Sequence, residues 1–518
     1  MAQSSSPLTL ASSVAGSTDS LRVGLLNDYV AIPYANGSSF ASQLLYRELV
    51  QDGHQVTVIG PHDVSAATAG LPNDALLFPS LPLRNHPGVR IPFPSRETLA
   101  RLEHAKFDLI LGQTGSELME AGVWLRQKRG VPLICVNTIH LPAVYNVVLP
   151  DQLLRNGKVR DLFDHEVVPF LNRQSVRVYN ASDLLIVLSE GLKTYWRQCG
   201  VTVPILVVPR AVEPKLFDVA PGADPYPSHF RRGARLLVVG RHTREKSVDR
   251  LLCIFAKLIA PACADVTLTL VGDGPDHEDY RRLAQRLGIM SRCHFAGEVP
   301  LTRIASWYRH GDVFVYASLS ETFGQVVGEA MWCAMPVVAF ADGMGVSGQV
   351  RDGLSGFLVP PGPRAAEANW RFSNAVLSLL RNPQLRSRIA RAAGEISRRE
   401  RHPDRVMSRY YDAFEVARRH RLQVRQLRPS SGVDRAMTLL RWSTIHLMLA
   451  ASGCLRAPAS MNLRGRTQPG WNDLLKIPRK GQSSVVPSSE SARQIADSLR
   501  GLTLESSEVK EAENWQAG

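Results

Sequence analysis

Short apolar runs recur along the chain, each separated from the next by a longer stretch of helical periodicity. The first series is Leu21–Leu26, Val56–Ile59, Leu109–Leu111, Pro132–Val136, Leu184–Leu188 and Ile205–Val208. The second is Arg235–Gly240, Val266–Gly272, Cys293–Gly297, Val313–Tyr316 and Val337–Phe340. Near-continuous apolar runs of this length predict strands buried on both faces, as in parallel sheets covered by helices. The expected fold class is therefore α/β, with two doubly wound parallel sheets in succession. The Pro/Gly/Asp-rich stretch Pro214–His229 reads as the linker between them. This divides the chain into a tail over 1–20, a first domain over 21–213 and a second over 214–400. Arginine-rich helices fill 401–425, and a basic and apolar helix with a mostly disordered tail fills 426–518.

Composition narrows the class. The chain has 518 residues, 44% hydrophobic and 21% charged, which suits a soluble globular protein of several domains. Its net charge of +14 favours an acidic partner such as a nucleotide or a phospholipid surface. Seven cysteines lie far apart with no Cys-x-x-Cys, so neither a zinc site nor a disulfide framework is expected, and a reducing interior fits. No apolar stretch is long enough to predict a spanning helix. Residues 1–18 lack the basic start and apolar core of a secretory signal; a disordered tail or a short transit peptide fits them.

The chemistry gathers around Ser320-Glu321-Thr322-Phe323-Gly324-Gln325-Val326-Val327-Gly328-Glu329. Helical pattern begins near Phe323, which puts Glu321 in a strand-to-helix loop and Glu329 one to two turns inside the helix. At about 1.5 Å of rise per residue the carboxylates lie on the order of 10 Å apart. Amides at the helix start would face the crevice at the carboxyl end of the sheet. A sugar at one end, a ribose at the other and a diphosphate between them would fit that span. In Gly240-Arg241-His242-Thr243-Arg244-Glu245-Lys246, Arg241 and Lys246 leave the carboxyl end of another strand, and fork plus point charge suit a diphosphate. Gly272-Asp273-Gly274-Pro275 lacks the spacing of a nucleotide fingerprint and reads as a tight turn. Gly37 opens a helix after the first strand, either as a plain turn glycine or to admit a phosphate or sugar. His140 ends a strand of the first domain and is structural or faces the site. No Asp-x-Asp occurs anywhere, so a metal-chelating site of that type is absent.

Gly240-Arg241, Glu245-Lys246, Val271-Gly272-Asp273-Gly274-Pro275, Phe295-Ala296-Gly297 and Glu321 with Glu329-Ala330, in this order, resemble the family 4 retaining glycosyltransferases over residues 20–415. Asn36-Gly37, Pro79–Leu83 and Asn137–His140 look most like the branch that glycosylates diacylglycerol or related lipids. The resemblance implies a GT-B fold: two Rossmann-like domains, the active site in their cleft, and a C-terminal helix crossing back to the first domain. It implies transfer of a hexose from a nucleotide-diphosphate sugar with retention, and no cofactor or metal. Arg241 and Lys246 would bind the diphosphate, Glu329 the ribose and Glu321 the sugar. Amides near Phe323, Gly324 and Gln325 would support sugar and phosphate; Gly37 would let the first domain approach, with His140 near the sugar. The implied partners are the nucleotide sugar, a lipid acceptor and an anionic membrane surface, at the cytoplasmic face, without nucleic acid. Arg210-Ala211 departs from the Asn-Gly usual after the last strand of the first domain, and Asn36-Gly37 from a common Gly-Gly.

A glycosyltransferase acting on a soluble or polysaccharide acceptor, a glycoside hydrolase, a nucleotide-sugar isomerase and a silent nucleotide-sugar or membrane-binding paralogue are the alternatives. The hydrolase needs carboxyls about 5–9 Å apart, closer than this spacing suggests, and gives the cationic loop no task.

Overall fold

The computed structural model describes residues 20–28, 30, 37–62, 71–82, 90–93, 95–113, 117–138, 157–220, 222–319, 321–424 and 431–455. Strands β1 (Arg22–Asn27), β2 (Gln55–Pro61), β3 (Leu76–Phe78), β6 (Leu109–Gln113), β7 (Leu133–Val136), β8 (Leu184–Val187) and β9 (Ile205–Val207) form one sheet, in the order β3-β2-β1-β6-β7-β8-β9. Between β3 and β6 in sequence, β4 (Ser80–Pro82) and β5 (Arg90–Pro92) pair as a small antiparallel ribbon. The second sheet contains β10 (Arg235–Val239), β11 (Thr267–Val271), β12 (Cys293–Gly297), β13 (Val313–Tyr316), β14 (Val337–Phe340) and β15 (Gly356–Val359). Its order is β12-β11-β10-β13-β14-β15. Every pairing in the two large sheets is parallel.

The apolar runs predict these strands because helices cover both faces. All residues of β7, β8, β13 and β14 are buried. Strand order reverses between β1 and β6 in the first sheet and between β10 and β13 in the second. Such reversals splay the following loops apart and leave a crevice beyond the carboxyl ends. This architecture is the GT-B arrangement of two Rossmann-like domains.

Three features differ from expectation. The Pro214–His229 stretch is not a free tether. It holds a short helix, Pro214–Phe217, and its Phe217 and Tyr226, with Phe230 just beyond, are buried in the core of the second domain. Three aromatic anchors outweigh the local Pro and Gly content. The helix after β13 starts at Gln325, two residues later than its periodicity suggests, because Gly324 adopts a left-handed conformation at φ 77°. In the basic and apolar segment, helix Gly432–Leu455 starts well ahead of the apolar run Trp442–Leu455 that lies between Arg441 and Arg456.

Helix Pro403–Gln423 packs on the first domain. Its Val406, Met407, Tyr410, Ala413, Phe414 and Ala417 join Val23, Leu25, Val58 and Leu111 in one core. The chain thus returns to the first domain after completing the second. Helix Gly432–Leu455 lies against the first domain through Trp442 and Ile445, which meet Phe163 and Leu171. The tail from 456 onward, including the stretch 490–499 whose composition allows a short helix, and residues 1–19 lie outside the described residues.

Candidate functional site

The site grows from the β10–β13 reversal. After β10 the chain is held against the turn following β11: the His242 amide donates to Asp273 O at 2.9 Å and the Asp276 amide to His242 O at 3.0 Å. One turn of 3-10 helix, Arg244–Lys246, then delivers Lys246 toward the crevice. Arg241 lies exposed on the same loop. Beneath it, His242 is 1% exposed and stacks on His277, with their Nδ1 atoms 2.8 Å apart. Burial, with His277 beside it, pushes His242 down to about 4, so this support is neutral at physiological pH.

After β13 the chain leaves on the other side of the reversal and carries Glu321 back. Lys246 Nζ and Glu321 Oε1 form an ion pair. Tyr316 OH donates to the same oxygen at 2.7 Å. Burial acts to raise the Glu321 pKa, but the charge of Lys246 and hydrogen bonds from Lys246, Tyr316 and Ser318 outweigh it, and the net direction is down. Glu321 is therefore a fixed carboxylate, buried and already paired.

Glu329 occupies a different environment. It is the fifth residue of helix Gln325–Trp332 and is 7% exposed. Tyr308, on helix Leu301–His310, donates to its Oε2 at 3.0 Å. No cation compensates its burial, which pushes it up to about 7 despite hydrogen bonds from Tyr308 and Gln325. The two glutamates thus sit in a strand-to-helix loop and inside the helix, with distinct partners and opposite pKa directions.

Between them, the backbone amides of Phe323, Gly324 and Gln325 donate no hydrogen bond among the described residues. Their course is held from behind. The Gln349 side-chain amide donates to Phe323 O, to Gly324 O at 3.2 Å and to Gly345 O at 3.3 Å. The Gly345 amide donates to Glu321 O at 3.0 Å. The segment is a preset row of donors at a helix start, the arrangement that receives anions elsewhere.

The first domain closes over this row. Thr322 Oγ1 donates to Thr138 O at 3.2 Å, and Gln325 Nε2 to Ala211 O at 3.1 Å. The Phe323 side chain is 1% exposed and packs in the first domain's core, together with Met344. A Cβ on Gly191 would lie 2.0 Å from Gly343 O, so the two domains approach to backbone contact there. Gly37 is the first residue of helix Gly37–Gln51, after β1. His140 lies outside the described residues; β7, which leads to it, reaches the site through Thr138.

The structure therefore brings Lys246 and Glu321 into direct contact, with Phe323, Gly324, Gln325 and Glu329 following in line. Tyr308, Tyr316 and Gln349 escape a reading of the sequence. Their signal is only their placement on elements that face the glutamates, and that needs the register of the sheet.

Residues 35–216 match the family described as Glycosyltransferase Family 4, and residues 228–395 match Glycosyl transferases group 1. Both halves of the fold are thereby accounted for, in order. The chain belongs to the family 4 glycosyltransferases. Among its relatives, the D-inositol 3-phosphate glycosyltransferase of Kribbella flavida is 31% identical over 53% of the chain. That match covers 64% of the relative, less than two-thirds of its length. The alpha-monoglucosyldiacylglycerol synthase of Streptococcus pneumoniae is 26% identical over 62% of the chain and 71% of its own. The Anabaena HepE structure with UDP and glucose shares the fold. Its TM-score is 0.56 and its identity 18%, over 76% of this chain and 99% of that one.

The Glu329 environment gives the chain a pH-dependent stability. Because its folded pKa is raised, the folded chain keeps a proton that the unfolded chain loses between about pH 4.3 and 7. That contribution is fully present below the unfolded pKa and is lost as pH rises through the folded one. Glu329→Gln removes the loss. The variant is expected to match the parent near pH 4.5 and to exceed it above pH 7, by about 4 kcal/mol at most. Urea midpoints measured across this range check it; parallel curves for the two proteins would exclude a raised carboxyl.

Proposed function

We propose that this chain transfers a hexose from a nucleotide-diphosphate sugar to a hydroxyl of a membrane lipid such as diacylglycerol, with retention of anomeric configuration. The observation that carries this is the Lys246–Glu321 pair at the β10–β13 reversal, beside the amides of Phe323, Gly324 and Gln325, which donate to no other group among the described residues. Laid along this line, the donor would place its ribose at Glu329, its diphosphate over the amides with Lys246 and Arg241, and its sugar at Glu321. As the bond to the diphosphate lengthens, negative charge grows on the leaving oxygen and positive charge on the sugar. Lys246, Arg241 and the preset amides meet the first, and the Glu321 carboxylate the second. The acceptor hydroxyl attacks the face being vacated, and a leaving phosphate oxygen takes its proton. Every charge in this scheme is met by the protein's own groups, so no metal or cofactor is required.

The hydrolase alternative fits less well, because Glu321 is engaged by Lys246 and Glu329 by Tyr308 on a separate helix. A lipid acceptor is supported by the relatives named for diacylglycerol and for phosphatidyl-myo-inositol. It is also supported by helix Gly432–Leu455. Val433, Met437, Leu440 and Leu447 form an exposed apolar stripe, with Leu439 beside it, opposite the face that carries Ile445. No helix of the described residues is long and apolar enough to cross a membrane. This stripe and the net charge of +14 support the reading of peripheral attachment to an anionic membrane, which the proposal places at the cytoplasmic face.

The test is transfer from labelled nucleotide sugars to diacylglycerol in anionic vesicles, with excess chelator. Product is expected with chelator present, and both yield and vesicle flotation should fall as salt rises. Activity lost in chelator and restored by magnesium would overturn the donor scheme. Equal activity on a soluble sugar acceptor, with no flotation, would replace the lipid by a soluble or polysaccharide acceptor.

A further inference from the structure

Arg210 stands between the last strand of the first domain and the first helix of the second. The chain around it is pinned on three sides. Ala211 O accepts from Gln325 Nε2 at 3.1 Å, the Val212 amide donates to Arg401 O at 3.0 Å, and Glu213 pairs with Arg47 at 2.6 Å. Arg210 is therefore held where both domains meet the start of helix Gln325–Trp332. Its side chain makes no hydrogen bond or ion pair among the described residues, and its Nε is shut off from solvent with no partner. A buried guanidinium donor left unsatisfied is costly, and such cases call for a ligand or another explanation.

The charges around it show what is missing. Glu321 is the charge whose field favours its cationic form, and Tyr410, from helix Pro403–Gln423, lies beside it as a neutral phenol, its own pKa pushed up to about 12 by burial. Burial pulls its pKa down to about 10, which leaves it a cation at neutral pH. Glu321 is not its partner: its Oε1 is held by Lys246 and Tyr316, and no hydrogen bond or ion pair joins it to Arg210. In the scheme above, Lys246 and Arg241 already face the diphosphate, and Glu321 marks the sugar end. Arg210 is a cation beyond that need, on the sugar side. Arg401 also has unsatisfied nitrogens, but it is 2% exposed and faces the Phe323 ring, with no opening to the crevice.

We infer that Arg210 binds an oxyanion carried close to the transferred sugar, either on the acceptor or on the donor sugar itself. The guanidinium fork matches a phosphate, sulfonate or carboxylate with two parallel bonds, which the usual asparagine at this place cannot match with charge. The inference rests on the donor orientation proposed above and adds the charge of the substrate to it.

The test uses the full chain, Arg210→Asn and Arg210→Lys, after thermal unfolding confirms that each folds. Three affinities are measured by calorimetry: UDP alone, glycerol 3-phosphate in the presence of saturating UDP, and UDP-glucuronate against UDP-glucose. UDP affinity is expected to stay within about twofold. One of the two anionic probes should weaken by about 10- to 100-fold in Arg210→Asn, as for a lost hydrogen bond to a charged group, and Arg210→Lys should recover part of it. Loss on glycerol 3-phosphate places the anion on the acceptor; loss on UDP-glucuronate places it on the donor sugar. If UDP itself weakens as much as the probes, Arg210 belongs to the diphosphate contacts and the inference fails. If the parent protein binds neither anionic probe better than its neutral counterpart, it fails also. These readouts need no turnover, so absent transfer with intact probe binding would sink the proposed reaction and leave Arg210 assigned.

Discussion

Glu321→Gln is expected to lower transfer by about 10²- to 10³-fold, the range seen when one preset charge or donor at a developing charge is removed. Its effect on the nucleotide diphosphate alone should be within about twofold. The carboxylate lies at the sugar end, and its loss frees Lys246, which Glu321 now holds, to face phosphate. Glu329→Gln should do the reverse. It should weaken UDP or GDP, whichever binds, by about tenfold, as for a hydrogen bond to a charged group, with a smaller effect on the rate at saturating donor. The comparison belongs at pH 8, where the parent Glu329, raised to about 7, is mostly ionised. Tyr308 can still donate to the amide oxygen in Glu329→Gln, so misfolding is not expected to confuse the result. If Glu321→Gln weakens the sugar-free nucleotide and Glu329→Gln does not, the donor runs the other way along the helix.

The second large effect is on stability. Asp183 is fully buried and accepts from Arg126 Nε and Nη2, each at 2.7 Å, and from the Leu133 amide at 3.0 Å. His420, on the helix that returns from the second domain, lies 3.3 Å from the same carboxylate. Asp183→Ala leaves a buried guanidinium and a strand amide without partners, and the expected loss is about 3–5 kcal/mol. Arg126→Met combined with Asp183→Leu removes both charges and should recover part of that loss. Urea unfolding followed by tryptophan fluorescence measures both. A loss under about 1 kcal/mol for Asp183→Ala would show that water or a rearranged carboxylate replaces it.

Much of this is legible in the sequence, and the exceptions share a physical origin. Interior strands such as β13 and β14 are continuous apolar runs, because both faces are covered, and they are read to the residue. The edge strand β15, Gly356–Val359, and the ribbon of β4 and β5 are short and carry Gly or Pro; half-buried, they show no comparable run. Lys246 and Glu321 are readable as chemistry because each leaves a carboxyl strand end, yet nothing in the spacing says that they touch. Tyr308 and Tyr316 lie in apolar segments and look like ordinary core residues. Their role in splitting the two glutamates depends on sheet register. Arg210 shows itself in sequence only as an unusual residue in its place, and its lack of a partner is a three-dimensional fact.

The meeting of Gly191 with Gly343 has an evolutionary consequence. The atom that an alanine would add at 191 faces backbone, 2.0 Å away, so no change of rotamer relieves it. Only a rotation of one domain against the other could make room. The three atoms nearest to that added carbon all belong to Gly343 and Met344, so residue 191 is constrained across the domain boundary. Epistasis should follow: substitutions there would be tolerated in lineages whose closing angle had already drifted, and rejected in those where it had not.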